Sequence, residues 1–110
     1  MAAHKIYRGE TVVGNFVLRD DAGQVVTNID GAVLLLTDLR NKDTDPIALT
    51  VGHGITFDAG AFSFTIPGGT TKNLPDNVGM EIKIEIDGVV RIAATSLFQV
   101  IGNKVKDYDV

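Results

Sequence analysis

The sequence predicts an all-β sandwich of about seven to eight short strands. Three observations carry this. Short apolar stretches recur along the 110 residues, cut by Gly, Asp, Asn and Pro. One stretch, Val78 to Ile86, alternates strictly: Val78, Met80, Ile82, Ile84 and Ile86 fall on one face, and Gly79, Glu81, Lys83 and Glu85 on the other. Asp87-Gly88 follows at once and suits a tight hairpin, whose two central residues need positive φ. Val89 to Ile101 then returns as the partner strand, with Ile92, Ala94, Ser96, Phe98 and Val100 sharing a face.

Earlier elements follow the same logic. Val12 to Arg19 places Val12, Gly14, Phe16 and Leu18 on one face, where Gly14 weakens the strand or marks a bulge. Asp20-Asp21-Ala22-Gly23 is a turn, and Gln24 to Thr27 a short strand beyond it. Ala32 to Arg40 fits two readings. Asp30 suits a helix cap with Leu35, Leu36 and Leu39 on one helical face. As a strand, Val33, Leu35, Thr37 and Leu39 oppose Leu34 and Leu36. Strands on both sides decide for a strand. Pro46 to Val51, Ile55 to Phe57 and Ala61 to Ile66 are further short strands, separated by Gly52-His53-Gly54 and Asp58-Ala59-Gly60. Pro67 to Asn77 is the one long connection; a single helical turn starting after Thr70, with Thr70 as its cap, leaves Leu74 to plug one end of the sandwich.

Composition bounds the function. The length is that of one domain, and a hydrophobic content of 45% is enough for one core. There is no cysteine, hence no disulfide and no thiolate chemistry. The N-terminus lacks the apolar centre of a secretion signal, and no apolar run approaches the ~20 residues of a membrane helix. The chain therefore reads as soluble and made in the cytoplasm, with no membrane partner. A net charge of -4 with scattered basic residues argues against nucleic acid.

Catalytic groups do not converge in the pattern, and the chain is not read as an enzyme. His4 lies near the terminus and His53 in a glycine turn; Ser63 and Ser96 lie on strands, away from any nucleophile turn. Gly68-Gly69-Thr70-Thr71 lacks the lysine and spacing of a phosphate loop. Asp43 and Asp45, like Asp20 and Asp21, lack the ligand spacing and closing glutamate of a calcium loop, so they read as turn formers. No catalytic residue, cofactor or metal is assigned. Function by contact with proteins remains, with a surface adhesin or carbohydrate-binding sandwich as the alternative.

The order of motifs resembles the immunoglobulin-like domain at the N-terminus of phage baseplate upper proteins and related phage fibre and head proteins. The residues concerned are Gly9-Glu10-Thr11, Phe16 and Leu18, the turn from Asp20 to Gly23, Gly31, and later Thr71, Leu74, Pro75 and Gly79. The resemblance spans about residues 5 to 101. It departs at Val25 and Val26, where the family usually carries a proline, and in length, since only residues 102–110 follow the domain.

The resemblance implies an immunoglobulin-like β-sandwich over residues 9–101, with an N-terminal arm of residues 1–8 and a C-terminal arm of residues 102–110. It further implies a virion component, a small capsid-decoration, head-fibre or tail and baseplate accessory subunit, made in the bacterial host cytoplasm. Its partners would be other virion proteins, in a homo-oligomer or multi-copy assembly. The arms are the expected contacts, through Ile6, Tyr7 and Arg8 at one end and Val105, Tyr108 and Val110 at the other. Tyrosine is the anchor type favoured at binding hot spots.

Overall fold

The computed structural model describes residues 4–41 and 43–102. In chain order the elements are β1 (His4–Tyr7), β2 (Val12–Val17), β3 (Gly31–Asp38), β4 (Ile47–Val51), β5 (Gly54–Asp58), β6 (Ala61–Ile66), the short helix α1 (Gly68–Thr71), β7 (Asn77–Ile86) and β8 (Val89–Ile101). The all-β expectation holds, and Gly31–Asp38 is a strand: Leu34 and Leu36 turn to the core and are fully buried.

Eight strands join in the order β1-β8-β7-β3-β4-β5-β6-β2. The β4–β5 junction is only a corner, in which Thr50–Val51 register beside Gly54–Ile55 across a turn with Gly52 and Gly54 at positive φ. Either side of it stand two sheets, β1-β8-β7-β3-β4 and β5-β6-β2. This is the immunoglobulin-like order, with β2, β6 and β5 in the places of B, E and D, and β8, β7, β3 and β4 in those of G, F, C and C′. β1 runs parallel to β8; the other pairings within the two sheets are antiparallel. One core lies between the sheets, built from Leu34, Leu36, Val78, Ile82 and Phe98 on one side and Ile55, Phe62 and Ile66 on the other. Leu74 seals it from the α1–β7 connection. No helix among the described residues is long and apolar enough to cross a membrane.

The β7–β8 hairpin forms as expected, with Asp87 and Gly88 at φ 52 and 78. Its inner face departs from strict alternation. Ile82 pairs with Ala94 but Lys83 pairs with Ile92, so Ala93 is an extra residue. The bulge keeps Ala93 and Ala94 against the core and turns Ile92 outward, 60% exposed. Ile92 therefore does not share the face of Ala94.

Three other expectations change. Gly14 marks no bulge: the β2–β6 register is continuous, and the Phe64 ring from the neighbouring strand occupies the space of the absent side chain. Residues 24–27 form no strand; one bridge, Arg19 to Val25, is all that pairs. The helical turn begins earlier, with Pro67 as its cap residue and Thr70 inside it, because the Pro67 carbonyl already accepts from Thr70 N.

Candidate functional site

The expected N-terminal arm is part of the sheet from His4 onward. β1 pairs with β8 through His4–Phe98, Lys5–Gln99, Ile6–Val100 and Tyr7–Ile101. Alternation along β1 then decides each side chain's fate. Ile6 points into the core at 5% exposure, which corrects its assignment as a contact residue. Tyr7 points outward at 59% and keeps its assignment open.

Arg8 is likewise turned inward, its side chain 5% exposed. Its guanidinium donates from Nε to the Gly102 carbonyl at 2.8 Å, from one terminal nitrogen to the Leu74 carbonyl, and from the other to Asp76 Oδ1 at 2.6 Å. Its planar fork is consumed in joining the ends of β1 and β8 to the start of β7, and it too is no surface contact. Val105, Tyr108 and Val110 lie outside the described residues.

The motif residues Gly9, Glu10 and Thr71 meet in one junction, with Gly68 beside them. Gly9, at φ 86, turns the chain; Glu10 Oε1 accepts from Tyr7 N at 3.0 Å and Glu10 N donates to Tyr7 O at 2.9 Å. Thr71, fully buried, donates from its hydroxyl to the Glu10 carbonyl at 2.7 Å. Gly68 lets the Gly9 carbonyl approach: a Cβ there would sit 2.3 Å from that oxygen. Gly68→Ala is accordingly expected to cost about 2 kcal/mol, read from urea unfolding, since backbone has to move to admit the methyl group.

The polar groups singled out in the sequence stay apart. His53 is exposed at the β4–β5 corner, and His4 lies on β1 with its ring 6.3 Å from that of Phe98. Ser63 is on β6 and Ser96 on β8, in different sheets. Among the described residues no hydrogen bond joins a histidine side chain to a serine or carboxylate, and no three metal-ligating side chains cluster. Asp20 Oδ1 accepts from the backbone of Ala22 and Gln24, and Asp38 Oδ1 from that of Arg40 and Asn41, which is turn chemistry. A hollow of about 450 Å³, open to solvent, lies over Asp30, Val33, Lys83, Glu85 and Val90.

Two outward sheet faces remain as contact surfaces. On the larger sheet Tyr7, Leu97, Ile92 and Val90 are exposed beside a β7 row of Glu81, Lys83 and Glu85, where Lys83 and Glu81 pair at 3.4 Å. On the smaller sheet Val13, Asn15 and Val17 are exposed in β2, the last strand of the order. Of these residues the sequence pointed to Tyr7 and the outward Glu81, Lys83 and Glu85, and not to Val90, Ile92, Leu97 or the β2 row. Val90 and Ile92 emerge through a bulge that alternation hides, while the uncharged run Val12–Val17 was a usable signal for an unguarded strand. No protein-family model, curated protein sequence or solved structure matches the chain.

Proposed function

We propose that this chain is a structural subunit of a phage particle, a capsid-decoration, head-fibre or tail and baseplate accessory protein that acts by docking on other virion proteins. The observation that carries the reading is the junction of Gly9-Glu10 with Gly68 and Thr71. Gly9, Glu10 and Thr71 carry the resemblance to the phage baseplate domain; Thr71 lies some 60 positions from the other two, and Gly68 beside it admits the Gly9 carbonyl. That contact supports the reading by giving three of the motif residues a shared structural part in the sandwich.

Docking would use the outward face of the larger sheet, with Tyr7 as anchor at its edge. Tyr7→Ser is expected to leave the unfolding midpoint unchanged and to weaken incorporation into particles about tenfold, measured by quantitative mass spectrometry of purified virions. Absence of the unaltered chain from purified particles would overturn the virion reading. Normal incorporation of the variant would remove Tyr7 from the contact.

A further inference from the structure

We propose that two copies of this chain pair edge to edge through β2, antiparallel about a twofold axis at Asn15. β2 ends the strand order and pairs only with β6. The hydrogen bond from Leu18 N to Gly60 O fixes the phase of that ladder. Val17–Ala61, Asn15–Ser63 and Val13–Thr65 are its non-hydrogen-bonded pairs, so the N–H and C=O groups of Val13, Asn15 and Val17 point to the open edge. Outside the strand ladders, no backbone bond among the described residues reaches them. Such a row takes another β-strand as its natural partner.

Comparison with the other edge favours β2. β1 is four residues long, carries Lys5 and ends on the Arg8 clamp, all features that discourage pairing. β2 is Val-Val-Gly-Asn-Phe-Val, with no charge, no proline and no register shift. The outward residues of its sheet are Val13, Asn15, Val17, Ala61, Ser63, Thr65, Thr56 and Asp58, so the only charge stands on β5, the strand farthest from the edge.

The identity of the partner strand follows from the outward residues themselves. Val13, Asn15 and Val17 read the same in both directions. A twofold axis at Asn15 sets Val13 against the copy's Val17 and Asn15 against the copy's Asn15, each pair exchanging both N–H···O bonds. Neutral, β-branched and amide pairs are thereby matched, and two chains of net charge -4 meet without opposing charges at the seam. The dimer deepens the contact reading but does not depend on a virion.

The test uses the full chain, which has no cysteine. Sedimentation equilibrium up to about 1 mM should show a monomer–dimer equilibrium. V13K/V17K sets lysine against lysine and should raise the dimer Kd at least about tenfold, whereas V13K/V17E sets lysine against glutamate and should restore it. Asn15→Cys should oxidise to a covalent dimer, because Cα atoms of a hydrogen-bonded pair lie about 5.5 Å apart, within disulfide reach. Val13→Cys should cross-link to Val17→Cys in a mixture and not to itself. A monomeric full chain at every concentration overturns the proposal. So does a chain that dimerises only once residues 103–110 are deleted, which would place its own terminus on the edge, and so does self-linking of Val13→Cys, which would mean a parallel seam. The oligomeric state of the isolated protein is read independently of incorporation into particles, so failure here and failure of the virion reading are distinguishable.

Discussion

Arg8→Ala is expected to lower the unfolding free energy by about 3 kcal/mol. The loss has separate sources. Two acceptors, the carbonyls of Leu74 and Gly102, lose a charged donor, and the aliphatic stem of a side chain that is 5% exposed leaves a gap. The ion pair itself contributes little, because Asp76 is 67% exposed and rehydrates freely. Asp76→Asn should therefore cost less than about 1 kcal/mol, and Arg8→Lys should fall between, since an ammonium cannot reach three acceptors in a plane. Urea titrations followed by circular dichroism measure all three. Equal losses for Arg8→Ala and Asp76→Asn would mean that the ion pair, and not the carbonyl clamp, holds this end of the sandwich. The effect also bears on function. Arg8 N donates to Ile101 O at 3.0 Å, so the clamp fixes the end of β1 and with it the position of Tyr7.

Phe62→Ala is expected to cost about 4 kcal/mol, the largest loss from a single truncation in this core. Phe62 is 1% exposed, stacks on Phe16 at 4.7 Å between ring centres and meets Phe57 edge-on at 6.5 Å. Removing it opens a cavity and breaks two aromatic contacts, each contributing about 1 kcal/mol beyond burial. Phe62→Leu should cost less, about 1.5 kcal/mol, because most of the volume remains. Denaturant midpoints at unchanged m-value check both variants. Phe16 and Phe62 are also cross-strand partners, so Phe62→Ala loosens β2 where the seam between copies is proposed. A Phe62→Ala protein that keeps its midpoint would mean that the smaller sheet contributes little to the core.

Legibility followed sequence separation. The β7–β8 hairpin was readable because its partners adjoin and Asp87-Gly88 occupies the two positions that need positive φ. That Gly31–Asp38 is a strand was readable from its neighbours, but with apolar residues on both faces the inward pair, Leu34 and Leu36, was not. Ile92 was misplaced because one extra residue, Ala93, reverses every side chain beyond it, and two adjacent alanines give no sign of which is extra. Residues 24–27 failed as a strand because β alternation says nothing about whether a partner edge is free. Only the bridge to Arg19 was.

The sequence by itself determined the all-β class, most strand positions, the main hairpin and the inward residues of β2, β6 and β7, because a period of two is a local property of the chain. It also held the evidence against β2 being guarded, in six uncharged residues. Tertiary structure alone decided what Ile6 and Arg8 do. Their roles depend on β1 lying parallel to β8, some 94 residues away, and on Leu74, Asp76 and Gly102 converging on one guanidinium. It alone made β2 an edge, since a strand's open side is set by which strands pair around it and not by its own residues.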